Sequence, residues 1–74
     1  MQKYSEDIEA YMCYVFSTMN EKSQRHYAVL EALKLGHGGI SYISSLLGIS
    51  ERTINRGIKE IKKRPASGAI ESEE

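Results

Sequence analysis

A chain of 74 residues makes one small domain at most, and 41% hydrophobic with 27% charged residues is ordinary for a soluble globular one. No apolar run approaches the roughly 18 residues of a membrane span. "MQKYSEDIEA" lacks the apolar core of a signal peptide, so neither a membrane nor a secreted protein is expected. The single cysteine, Cys13, excludes an intrachain disulfide and fits a reducing compartment.

The zero net charge hides an asymmetry. Residues 1–24 carry Lys3 and Lys22 against Glu6, Asp7, Glu9 and Glu21, a net −2. Residues 25–64 carry eight basic side chains against Glu31, Glu51 and Glu60, a net +5. Residues 65–74 carry only Glu71, Glu73 and Glu74, a net −3. A basic stretch between acidic flanks is the pattern of a binding face, although a solvated helix surface produces it too.

The elements are all helical, because no stretch alternates apolar and polar residues as a strand would. Ser5 is an N-cap for a first helix over residues 5–19, with Glu6, Asp7 and Glu9 set against the positive end of its dipole. Ile8, Tyr11, Met12, Val15, Phe16 and Met19 form its apolar stripe, while Tyr4 and Tyr14 fall off it. Asn20 caps a second helix, "EKSQRHYAVLEALKL", with Tyr27, Val29, Leu30 and Leu33 expected inward. Tyr11 and Tyr27 are the tyrosines expected in the core. Gly36 stops the second helix, and "HGG" allows a sharp change of direction. A short third helix runs from about Ile40 to Leu47 with Ile43, Leu46 and Leu47 inward. Gly48 breaks it. Ser50 caps a fourth helix, Glu51 to about Arg64, with Ile54, Ile58 and Ile61 inward and Pro65 as its boundary. Residues 65–74 read as a disordered tail or a truncated linker.

The third and fourth helices are joined by only "GIS", the connection of a helix-turn-helix. Gly48 supplies the left-handed residue of the turn, and Ile49 fits the angle between the helices. Ser44 is small where a larger side chain would force them apart, and Gly57 allows close approach to the rest of the bundle. The predicted fold is therefore an all-α, homeodomain-like helix-turn-helix bundle of about four helices, one domain over residues 1–64 with its helix-turn-helix at 40–64.

The face of the fourth helix left outward holds Ser50, Glu51, Arg52, Asn55, Arg56 and Lys59. In a helix-turn-helix such residues enter the major groove. Arg52, Asn55 and Arg56 suit base edges, since arginine bonds guanine bidentately and asparagine bonds adenine so. Ser50, Thr53 and Lys59 suit phosphates. Glu51 either complements the helix N-terminus or accepts from a cytosine amino group. Lys62, Lys63 and Arg64 offset the helix dipole in any case. Tyr42, read as an outward residue of the third helix, and His37, beside the two glycines, are further phosphate candidates.

Residues 19 to 61 also resemble a known family. "NEKSQRHYA", "EALKLGHGGIS" and "GISERTINRGIKE" look like the N-terminal helix-turn-helix region of the ISAzo13-type (Rhodopirellula-type) insertion-sequence transposases. The resemblance implies a bacterial module, located with the DNA in the cytoplasm, that finds transposon ends. Family members continue through a basic linker into a DDE nuclease domain whose carboxylates bind divalent metal. The present chain stops before that domain and turns acidic at "ASGAIESEE", so no catalytic function carries over.

No enzyme, cofactor or metal site is expected from the residues themselves. His26 and His37 have no cysteine partners at zinc spacing. Cys13 reads as a small, partly buried residue of the first helix, and "GHGG" lacks the lysine of a phosphate-binding loop. The six apolar side chains of the first helix are more than so small a domain easily covers, at about 1.5–3 kcal/mol for each large one fully buried. Tyr11, Met12, Val15 and Phe16 are therefore a candidate homodimer surface. A small transcriptional regulator or antitoxin, or a protein–protein module on the same fold, are the alternatives to transposon-end recognition.

Overall fold

The computed structural model describes residues 3–64; Pro65 and the expected tail lie outside the described residues. Four helices follow in order: α1 (Glu6–Ser17), α2 (Glu21–Leu35), α3 (Gly39–Leu47) and α4 (Glu51–Lys62), with no strand among the described residues. The chain is a small all-α domain, as its periodicity predicts.

Local chemistry sets the helix starts. Ser5 Oγ accepts from the Ile8 amide at 3.3 Å, Asn20 Oδ1 from Ser23 at 2.8 Å and Ser50 Oγ from Thr53 at 3.1 Å. Each cap satisfies an amide that helix geometry leaves without a partner. Gly48 lies in the left-handed region at φ 71°, and its amide donates to Ser44 O at 3.0 Å. The turn between α3 and α4 is thus three residues, Gly48–Ser50, closed on the last turn of α3. α4 ends at Lys62, two residues before the expected boundary, where the Arg64 guanidinium folds back onto the Ile61 carbonyl at 2.7 Å.

α2 is the centre of the bundle, with α3 and α4 packed against it; α1 lies mainly on α3, and its backbone does not come close to that of α4. The core consists of Met12, Ala28, Val29, Ala32, Ile43, Leu47 and Ile54. Small residues let the backbones approach. A methyl group at Gly57 would lie 2.8 Å from Val29 Cγ2, and one at Gly39 would land against the Ala32 carbonyl oxygen. Gly57 thus plays the close-approach role expected of it, with α2 as the neighbour.

Several expected core positions face outward. Leu30 is 58% exposed and Leu33 55%, and Ala28 and Ala32 take the buried face instead. Apolar side chains are spread around most of the circumference of α2, so periodicity does not select a face. The small alanines do, because they admit neighbouring helices. Tyr11 is 64% exposed, contrary to its expected place in the core, and Tyr27 is half-buried against Phe16 with ring centroids 6.4 Å apart. Of the four residues expected to form a dimer surface, Met12 belongs to the core and Phe16 packs on it, which leaves Tyr11 and Val15 on the surface beside Ile8 and Tyr14.

Tyrosines attach the start of α1. The Tyr4 hydroxyl donates to Glu31 Oε1 at 3.0 Å, and the Tyr4 amide donates to the Tyr42 hydroxyl at 3.1 Å. The Tyr42 hydroxyl in turn donates to Glu9 Oε2. Partial burial, then the Glu9 hydrogen bond, raise the Tyr42 phenol above its usual pKa. Tyr42 is therefore an internal link between α3 and α1 and not the outward phosphate contact its position suggested. Cys13 is half-buried and donates to the Leu46 carbonyl at 3.5 Å.

Candidate nucleic-acid interface

Burial divides α4 sharply. Ile54 and Gly57 are buried, while Thr53, Ile58, Glu60 and Ile61 are half-buried along the edges of that face. Glu51, Arg52, Asn55, Arg56, Lys59, Lys62 and Lys63 are exposed. Packing fixes the rotation of the helix: Ile54 enters the core and Gly57 presses on α2, so the polar side chains must point away.

Arg52, Asn55, Arg56, Lys59 and Lys63 line one open surface depression together with Glu60. Three residues proposed to read bases and one proposed to hold phosphate thus share a surface. Arg52, Asn55 and Lys59 have no hydrogen bond or ion pair with another described side chain. Ser50 and Thr53 sit at the helix start. The Ser50 hydroxyl donates to Thr53 Oγ1 at 2.9 Å while its oxygen caps the helix, so Thr53 keeps a hydroxyl proton to donate. Both line a second cleft, between the start of α2 and the α3–α4 turn, with Gln24, Ile49 and Arg56. Glu51 is exposed in the first turn of α4 and complements its dipole. His37 is exposed in the turn before α3 and lies outside both depressions.

One feature of this surface was not anticipated from the residues. Glu60 accepts from Arg25 Nε and His26 Nε2, both at 2.9 Å on Oε1, and faces Arg56 Nε at 3.3 Å through Oε2. Arg25, then His26, hold its carboxyl down at about 2 against an ordinary 4.5, with the Arg56 charge adding to the effect. The Arg56–Glu60 pair is visible in the sequence as an i,i+4 spacing. The approach of Arg25 and His26 from α2 is not, since they lie 35 and 34 residues away.

No helix of the described residues is long and apolar enough to cross a membrane, and no group of three or more histidine, cysteine or acidic residues among them could hold a metal ion. Comparison of the chain with protein-family models, curated proteins and solved structures found no match.

Proposed function

We propose that this chain binds double-stranded DNA sequence-specifically, with α4 in the major groove, as a transposon-end-binding module. What supports the reading is the outer face of α4: a solvent-facing set of Arg52, Asn55, Arg56 and Lys59 on a helix held rigidly by a three-residue turn and a buried opposite face. Arg52, Asn55 and Arg56 read base edges; Ser50, Thr53 and Lys59 hold phosphates; Glu51 accepts from a cytosine amino group; His37 contacts the backbone farther out. No catalysis is assigned. The transposon setting comes from the motifs of residues 19–61, and a bacterial location beside the DNA follows from it.

A single recognition helix reads one half-site, and two-fold pairing would double the contact. Ile8, Tyr11 and Val15 stand on the surface of α1 and favour a second copy of the chain there. A sedimentation mass of one chain would remove that part of the proposal.

The deciding experiment is fluorescence anisotropy of a labelled mixed-sequence duplex at low and physiological salt. Binding should weaken linearly on a logarithmic salt scale as released counterions demand. Arg52→Ala with Arg56→Ala should abolish it, with stability changed by no more than about 0.5 kcal/mol, as for other exposed positions. No binding at low salt would leave a protein–protein module as the better reading of the same fold.

A further inference from the structure

Glu60 is an acidic side chain placed against a proposed DNA surface, where a carboxylate repels phosphate. Its two oxygens do different things. Oε1 is committed to α2, taking Arg25 Nε and His26 Nε2 at 2.9 Å each. Oε2 faces outward to Arg56 Nε at 3.3 Å. The anchoring end is sheltered, with the Arg25 side chain 13% exposed, while Arg56 is 70% exposed. The carboxylate is a strut between the bundle and the exposed side chain of Arg56.

The geometry points to Glu60 as a positioning residue that sets DNA specificity by holding Arg56. Arg25 and His26 fix the carboxylate, and the carboxylate takes the Nε side of the Arg56 guanidinium. The two terminal amino groups are left to meet a base edge. An arginine already held loses less freedom on binding than one that must be ordered by the DNA. The same carboxylate offsets positive charge, which weakens attraction to any phosphate backbone regardless of sequence. Holding Arg56 raises the ratio of specific to non-specific binding, while the charge lowers both affinities alike. The idea rests on the DNA-binding proposal and adds to it a residue that never touches DNA.

The test starts from duplexes enriched out of a randomised pool by the unmodified chain. Anisotropy then compares the most enriched duplex with its scrambled version at fixed salt. Glu60→Gln should bind the scrambled duplex more tightly, yet its preference for the enriched duplex should fall by about tenfold, within the range that one bidentate base contact contributes. In an Arg56→Ala background the same substitution should leave the preference unchanged, since the strut has nothing to hold. Glu60→Asp keeps the charge but is one methylene too short to span α2 and Arg56. It should lose preference without gaining scrambled-duplex affinity, and it decides the matter if thermal melts show Glu60→Gln unfolded. A structural role alone predicts a lower melting temperature with both affinities falling in parallel, and that result overturns the inference. So does full preference in Glu60→Asp, or an equal effect of Glu60→Gln with and without Arg56. If the unmodified chain enriches no duplex, the DNA-binding proposal fails and this one with it; the other failures leave DNA binding standing.

Discussion

α1 and the α2–α3–α4 unit contain similar helices but are held by different forces. α1 carries a rich apolar stripe, yet only Met12 is buried; Ile8, Tyr11, Tyr14 and Val15 stay exposed. Besides Met12 and the packing of Phe16, its attachment runs through Tyr4, Glu31, Tyr42, Glu9, the Cys13–Leu46 contact and the Gln24 amide on the Phe16 carbonyl, polar links at partly exposed sites. The other three helices share Ala28, Val29, Ala32, Ile43, Leu47 and Ile54, with Gly39 and Gly57 at the points of closest approach. Apolar content alone did not decide burial here. Ala28, Ala32, Gly39 and Gly57 let the backbones approach, and close approach is what brings dense dispersion contact. A polar link at the surface contributes about 0.5–1.5 kcal/mol net, and a fully buried large apolar side chain about 1.5–3 kcal/mol. α1 should therefore open before the unit that carries α4.

The contrast can be broken from the core side first. Ile54 is fully buried and joins α4 to the shared core. Ile54→Ala should cost about 2–5 kcal/mol in denaturant unfolding, through lost transfer energy and a residual cavity. Amide exchange should then accelerate in every helix. A loss confined to α4 would mean that the three helices do not form one cooperative unit.

Tyr42→Phe works from the other side. It removes the hydroxyl that accepts from Tyr4 and donates to Glu9. The expected cost is about 1 kcal/mol, with faster exchange in α1 and little change in α2 or α4. DNA affinity should be unaffected, because the hydroxyl points into the bundle. A loss of affinity with α1 still attached would return Tyr42 to the DNA surface.

A third probe is an acid titration of the α2–α4 link. Glu60 has a folded pKa of about 2 against an ordinary 4.5. A carboxyl depressed on folding stabilises the fold fully above its unfolded value, and the gain is lost as pH falls through its folded value. The Arg25–Glu60 link should hold at pH 5 and weaken steadily between about pH 4.5 and pH 2. Glu60→Gln should flatten stability over that window, and melts of both proteins between pH 6 and pH 2 measure it.

Much of the frame is legible in the residues. Ser5, Asn20 and Ser50 cap where their side-chain oxygens and the amides three residues on predict. Gly36 and Gly48 end helices with positive φ, as glycine alone does easily. The outward set on α4 is legible too, since Ile54, Ile58 and Ile61 recur at helical spacing and assign the rest to solvent. The sides taken by Tyr42 and Leu33 are not legible, because each looks equally suited to either side of its helix. Which side wins depends on what another helix offers: for Tyr42 it is Glu9 and the Tyr4 amide, 33 and 38 residues away.

Four helices, their caps, the turn at Gly48–Ser50 and the polar face of α4 follow from the residues alone. Those are consequences of hydrogen-bonding and rotamer chemistry within a few residues of chain. Packing between helices settles that α2 presents its alanines inward, that Tyr42 turns toward α1, and that Glu60 gathers Arg25, His26 and Arg56. Each of those depends on groups tens of residues apart meeting at hydrogen-bond or van der Waals distance, and no local pattern encodes such a meeting.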